Sequence, residues 1–170
     1  YPGLITAFLA STIMMSFTVI PPFYLARGLN LTPSQVSLAM AVGPTVAILS
    51  GVPAGRLVEK FGSRPIFLAG LTLLTLASLG FTVLPPALGL AGFFISAVSL
   101  TPGNQMFMAA NNTNVMARAG LENQGAVSGV LNLSRNLGSI TGVAVAASLF
   151  DTAADRIAGP LGATVGLQAA

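Results

Sequence analysis

The chain has 170 residues, of which 54% are hydrophobic and only 6% are charged. Soluble domains carry about a quarter charged residues, so this composition excludes a water-soluble surface and indicates a protein embedded in a lipid bilayer. The net charge of +3 comes from a handful of loop arginines, without the basic patch and the interleaved aromatic residues that a nucleic-acid groove needs. There is no Cys and no His, so disulfides and the usual zinc sites are excluded, and the sequence predicts no metal or cofactor.

Apolar stretches of membrane-spanning length occupy most of the chain. A helix needs about 20 residues to cross the hydrocarbon core of a bilayer, and five stretches meet that length. The sequence therefore predicts an all-α membrane protein with five transmembrane helices and the start of a sixth. The predicted spans are residues 4–24, 33–52, 65–84, 88–112 and 124–150, with a truncated sixth span from about residue 162.

Local signals give the expected boundaries of these spans. The stretch Thr32-Pro33-Ser34-Gln35 has a capping Thr, a first-turn Pro and a Gln at the third helical position, which predicts a helix start. Prolines elsewhere predict interruptions of the spans. The first span is expected to end at Pro21-Pro22, the second to kink at Pro44, the third to be followed by a turn at Pro85-Pro86, and the fourth to break near Pro102-Gly103. The polar residues 151–160 predict a loop before the sixth span.

One compact charged stretch, Gly55–Arg64, separates the second and third spans, and it holds three of the seven basic residues. Ten residues between two apolar runs predict a tight turn, with Gly55 and Gly62 supplying backbone freedom at its ends. The connections after spans two and four carry four basic residues, against two after spans one, three and five. Because cytoplasmic loops are enriched in Lys and Arg, we expect Gly55–Arg64 to face the cytoplasm.

The pattern Gly55-x-Leu57-x-Glu59-Lys60-x-Gly62-x-Arg64 resembles the cytoplasmic signature loop of the major facilitator superfamily, Gly-x-Leu-x-Asp-Arg/Lys-x-Gly-Arg-Arg/Lys. Glu59 replaces the usual Asp and Ser63 replaces a basic residue, departures typical of the second copy of this loop, between helices eight and nine. Residues 111–113 and 124–138 are similar to helices ten and eleven of the superfamily's drug–proton antiporter branch. We refer to Gly55–Arg64 as the signature segment.

The resemblance implies that residues 1–170 form the C-terminal six-helix half of a transporter, comprising helices seven to eleven and the start of twelve. The partner would be an N-terminal half outside this sequence, and the location would be the bacterial inner (plasma) membrane. The implied function is secondary active transport of small organic molecules by alternating access, of the multidrug-efflux type, with protons as the coupling ion. The alternatives are a membrane-embedded enzyme and a structural membrane subunit.

Enzyme chemistry in the bilayer requires acids, bases or metal ligands that converge within the spans. All four acids lie in predicted loops, so the sequence predicts a protein that is not an enzyme. For the same reason, the carboxylate that would couple transport to protons is expected outside the predicted spans one to five.

The resemblance also implies a role for the signature segment as part of a cytoplasmic gate, in which its basic residues pair with carboxylates of the other half. The alternative is a plain basic anchor on the cytoplasmic side. The gate residues would be Gly55, Arg56, Glu59, Lys60, Gly62 and Arg64.

Amides in the fourth span form two adjacent polar seams, because Asn104 and Asn111 are seven residues apart, as are Gln105 and Asn112. Amides that face lipid are costly, so these side chains are expected to face protein or a water-filled path. One interpretation assigns Asn104 and Gln105 to a substrate path, and the other assigns them to hydrogen bonds between helices. Asn111 and Asn112, nearer the predicted cytoplasmic end, are interpreted as structural.

Arg135 is the only charged residue well inside a predicted span. It lies eleven residues after Gln124, about 16 Å along a helix, where a buried Arg costs roughly 2.5–3.5 kcal/mol on insertion scales. We expect Arg135 and Asn132 to line a central substrate path, with Arg135 pairing across the two halves. The alternative is a structural Arg that extends to the cytoplasmic surface. On the same helix, Gly138-x-x-x-Gly142 predicts a close helix contact.

Overall fold

The structure is a computed structural model that describes residues 2–167, with the side chains of residue 121 and residues 150–167 excepted. Within these residues the chain is helical and contains no strand, which confirms the predicted all-α class. The helices are α1 (Pro2–Phe23), α2 (Pro33–Met40), α3 (Val42–Phe61), α4 (Ser63–Leu88), α5 (Leu90–Ala117) and α6 (Gln124–Leu167). Three described segments, Pro2–Gly28, Pro33–Phe61 and Ser63–Leu88, are long and apolar enough to cross a membrane.

The first helix does not end at its proline pair, as the sequence predicted. Pro21 and Pro22 lie inside α1, which continues through a wider helical turn, Tyr24–Gly28. Prolines are tolerated in membrane helices where neighbouring groups compensate for the lost hydrogen bonds. Here the Tyr24 hydroxyl donates to the Pro85 carbonyl at 2.7 Å, and Leu25 is fully buried, so contacts with other helices hold this end in place.

The predicted helix start at Thr32 is confirmed. The backbone N–H of Gln35 donates to the Thr32 hydroxyl at 3.4 Å, and the backbone N–H of Thr32 donates to Gln35 Oε1 at 2.9 Å. The helix is interrupted at Ala41, between α2 and α3. Pro44 has no N–H to donate to the Met40 carbonyl, so this interruption corresponds to the predicted kink.

The signature segment is mostly helix, so the prediction of a ten-residue turn was wrong. Helix α3 continues to Phe61 and α4 begins at Ser63, which leaves Gly62 alone between them. Leu, Arg, Glu and Lys all favour helix, and Val58 packs inward at 7% exposure. Gly62 has φ +85° and ψ 161°, a conformation that is essentially restricted to glycine, and this residue makes the turn.

Two other predicted interruptions were also wrong. Helix α4 continues through Pro85-Pro86, and the turn lies at Gly89, where φ is +59°. Helix α5 is unbroken at Pro102. The neighbouring Gly103 lies directly against α4, since a Cβ there would come within 2.9 Å of the Leu74 backbone nitrogen. This close packing supports α5 where Pro102 removes a backbone hydrogen bond.

One continuous helix, α6, takes the place of the predicted loop 151–160 and of the separate sixth span from about residue 162. Residues 151–158 combine three alanines with an Arg and an Ile, residues that a helix accommodates readily, and polar character alone does not end a helix. The remaining residues of the predicted sixth span, 168–170, lie outside the described part of the chain.

The helices form two closely packed groups. Helix α5 packs most extensively on α4 and also contacts α3, while α1 packs on α6. Far fewer contacts join α1 or α6 to α5. Buried apolar side chains fill the space where α1, α4 and α5 meet, namely Ala10, Leu74, Ala77, Leu100 and Phe107. Helix α5 therefore contacts α1, α3, α4 and α6, and its polar side chains can form hydrogen bonds with these helices.

Candidate functional site

Amide side chains of α5 reach three neighbouring helices. Gln105 Nε2 donates to the Ala47 carbonyl of α3 at 3.1 Å. Asn111, 1% exposed, donates through Nδ2 to the Gly3 carbonyl of α1 at 3.1 Å. Asn114 Oδ1 accepts from the Ser63 hydroxyl, at the start of α4, at 2.5 Å. These bonds place α5 at the centre of the bundle and assign Gln105 to the contact between α3 and α5.

Arg135 of α6 meets Asn112 of α5. The guanidinium donates through Nη2 to Asn112 Oδ1, in a region where α5 and α6 make few other contacts. Arg135 is half-buried, and its Nε atom is buried without a hydrogen-bond partner in the described part of the chain. The sequence analysis predicted Arg135 for the substrate path and interpreted Asn112 as a structural residue. The one feature of the sequence that related Asn112 to the substrate path was its position on the same polar seam as Gln105.

The two other residues predicted for the substrate path are more open. Asn104 of α5 is half-buried, and Asn132 of α6 is exposed. Neither amide side chain has a hydrogen-bond partner among the groups that the structure describes. Of the four predicted residues, Arg135 therefore donates a hydrogen bond to α5 and Gln105 donates one to α3. The side-chain amides of Asn104 and Asn132 make no hydrogen bond to a described group.

Helices α1 and α6 approach each other closely at Gly138 and Gly142. A Cβ on Gly138 would collide with the Phe8 carbonyl oxygen, and one on Gly142 would collide with the Thr12 carbonyl oxygen. Three hydroxyl groups add hydrogen bonds across the same contact and were not predicted. They are Thr12 to the Gly138 carbonyl at 3.0 Å, Ser16 to the Gly142 carbonyl at 3.3 Å and Ser134 to the Leu4 carbonyl at 2.7 Å.

The charged side chains of the signature segment form an open surface. Arg56, Glu59, Lys60 and Arg64 are all exposed, and none of them forms an ion pair with another side chain that the structure describes. The Lys60 ammonium lies 5.2 Å from the centre of the Phe61 ring. Gly55 has no heavy atom within 4 Å of an added Cβ. The arrangement presents three positive charges and one negative charge at the α3–α4 turn.

The polar side chains described within the bundle are amides, hydroxyls and one guanidinium. No group of three or more His, Cys, Asp or Glu side chains that could hold a metal occurs among the described residues.

The sequence profile of the Major Facilitator Superfamily matches residues 2–164. The chain belongs to this superfamily. Its members are integral membrane proteins, in agreement with the three apolar helical segments described above.

Two proteins with transporter names are similar to this chain. It is 29% identical over 136 residues to the riboflavin transporter RibZ of Clostridioides difficile (strain 630), covering 80% of this chain. It is 25% identical over 135 residues to the uncharacterized transporter YebQ of Escherichia coli (strain K12), covering 79% of this chain. The matched region spans 30% of the length of each relative. No solved structure matches the chain at a significant level.

Proposed function

We propose that the chain is the C-terminal half of a secondary active transporter that moves small organic molecules across the bacterial inner membrane. The observation that carries the proposal is the superfamily match over residues 2–164. Both relatives carry transporter names, and the resemblance of residues 111–113 and 124–138 to the drug–proton antiporter branch favours efflux in exchange for protons. Alternating access would then occur between this half and an N-terminal half.

The signature segment supports a gating role within this proposal. Its exposed basic side chains, Arg56, Lys60 and Arg64, have no carboxylate partner among the described side chains. In the state closed to the cytoplasm, carboxylates of the other half would pair with them, and the pairs would separate in the open state. Contacts made in only one of two states shift the equilibrium between those states. The turn at Gly62 would keep α3 and α4 in fixed relation while these pairs form.

The experiment is a transport assay on the full-length protein that contains this chain. The protein is reconstituted in vesicles, a proton gradient of either direction is imposed, and movement of ethidium and riboflavin is followed by fluorescence. We expect gradient-driven movement of ethidium. Riboflavin is included because one relative is named for it, and movement of riboflavin alone would replace the drug-efflux assignment with a vitamin-transport one. Absence of gradient-driven movement for a broad panel of organic solutes would contradict the proposal.

A further inference from the structure

The contact between Arg135 and Asn112 is rich in hydrogen-bond donors. A guanidinium carries five N–H donors and no acceptor, and an amide side chain adds two donors and one oxygen. That oxygen, Asn112 Oδ1, already accepts from Arg135 Nη2. Arg135 Nε is buried without a partner in the part of the chain that the structure describes. The pair therefore has many donors and a single acceptor oxygen, which already takes one hydrogen bond, so it suits a ligand that accepts hydrogen bonds.

No described acid neutralises the Arg135 charge. Glu59 and Glu122 are exposed, and neither is paired with Arg135. The two remaining acids, Asp151 and Asp155, lie on the same helix, 16 and 20 residues further along. These separations correspond to about 24 and 30 Å along the helix axis. A charged side chain in a membrane helix faces the protein interior or water and pairs with an opposite charge or with backbone carbonyls. Among these partners, a carboxylate has two oxygens that match the planar guanidinium.

We propose that Arg135 and Asn112 bind the carboxylate of an organic substrate. Asn112 is the positioning residue, because its oxygen fixes one edge of the guanidinium and leaves the others free for the ligand. Asn132, three residues before Arg135 and on the same side of α6, adds an amide without an internal partner. The inference rests on the proposed transport function and adds carboxylate-bearing organic molecules to the substrates expected of it.

The test compares two dyes that differ at one carboxyl group, rhodamine B and rhodamine B ethyl ester. Binding of each to the purified full-length protein is measured by fluorescence polarisation. Charge-assisted hydrogen bonds are about twice as strong as neutral ones, so we expect the acid to bind roughly tenfold or more tightly than the ester. Arg135→Met should remove this preference.

A matched pair of variants separates the role of the site from a general effect of charge. Asn112→Asp keeps the shape of the side chain but places a carboxylate against Arg135, so it should also abolish the preference for the acid. Asn114→Asp makes the same change two residues further along, which is nearly the opposite side of α5. There Oδ1 accepts from Ser63, and a carboxylate can do the same. This variant should keep the preference.

Equal affinity of the wild type for the two dyes, or binding of neither, overturns the inference, and so does a preference that persists in Asn112→Asp. Each of these results would arise if a carboxylate elsewhere in the full-length protein paired with Arg135. Gradient-driven ethidium transport together with such a result would leave the transporter assignment standing. A preference for the acid without gradient-driven movement of any solute would instead contradict the proposed function and leave the site in place.

Discussion

Replacing Gly138 by Ala tests the contact between α1 and α6 directly. The added methyl group would collide with the Phe8 carbonyl oxygen and lie 3.1 Å from the Phe8 Cα. These are backbone atoms of α1, so the clash cannot be relieved by a change of rotamer. The two helices would have to separate, and the adjacent hydrogen bonds from Thr12 and Ser134 would lengthen.

The expected cost follows from three contributions. Overpacking in a close-packed interior costs about 1–3 kcal/mol. Two weakened interhelical hydrogen bonds add about 0.6 kcal/mol each. Alanine gains about 0.5–1 kcal/mol over glycine in a helix. The net loss is therefore about 1–4 kcal/mol in the free energy of unfolding.

The assay is thermal stability of the full-length protein in detergent, measured from the monodisperse fraction that survives heating on fluorescence-detected size exclusion. Gly129→Ala is the matched control, since it lies on the same helix, is exposed and has no heavy atom within 4 Å of an added Cβ. We expect Gly138→Ala to lower Tm and Gly129→Ala to leave it unchanged or raise it. Equal Tm values for the two variants would refute the close approach of α1 and α6.

Three further outcomes are expected. Gly62→Ala should lower the free energy of unfolding by about 1–3 kcal/mol, because φ at Gly62 is +85°. Gly55→Ala should not lower Tm, since Gly55 lies in a helix and an added Cβ there has no heavy atom within 4 Å; similar losses of Tm for the two variants would contradict the role of Gly62. A single Cys at the exposed Phe61 should react with a membrane-impermeant thiol reagent in inside-out vesicles and not in intact cells, and labelling of intact cells would reverse the predicted orientation. Glu59→Gln and Glu122→Gln should leave proton coupling intact in the vesicle assay, and uncoupled transport by either variant would place the coupling acid in this chain.

Features that depend on neighbouring residues in the sequence were predictable. The capping box at Thr32 and Gln35 forms within four residues, so its sequence pattern is sufficient. The proline-based predictions failed at Pro21-Pro22, Pro85-Pro86 and Pro102. A proline removes a backbone hydrogen bond in any context, but whether the helix ends there depends on the surrounding contacts. The bond from Tyr24 to the Pro85 carbonyl spans 61 residues, and no local pattern contains it.

The same distinction applies to the candidate site. Arg135 stands out in the sequence because it is a lone charge in an apolar stretch, and that observation needs no partner. Asn112 could not be identified as its partner, because the sequence shows which residues share a seam on α5 but not which helix that seam faces. Likewise, the spacing of Gly138 and Gly142 predicts a close contact, while the choice of α1 as the neighbour depends on tertiary packing.

The position of the Arg135–Asn112 pair follows from how the helices are grouped. Within the α1–α6 group, backbone atoms touch at two glycines and hydroxyl groups bridge the gap. Between that group and α3, α4 and α5 the contacts are few. They include the Phe17 and Phe81 rings, whose centres are 4.8 Å apart, and the Asn111 bond to Gly3. A charged side chain is tolerated within a bundle only where packing leaves room for polar partners. The boundary between the two groups provides that room, and both residues of the pair lie on it.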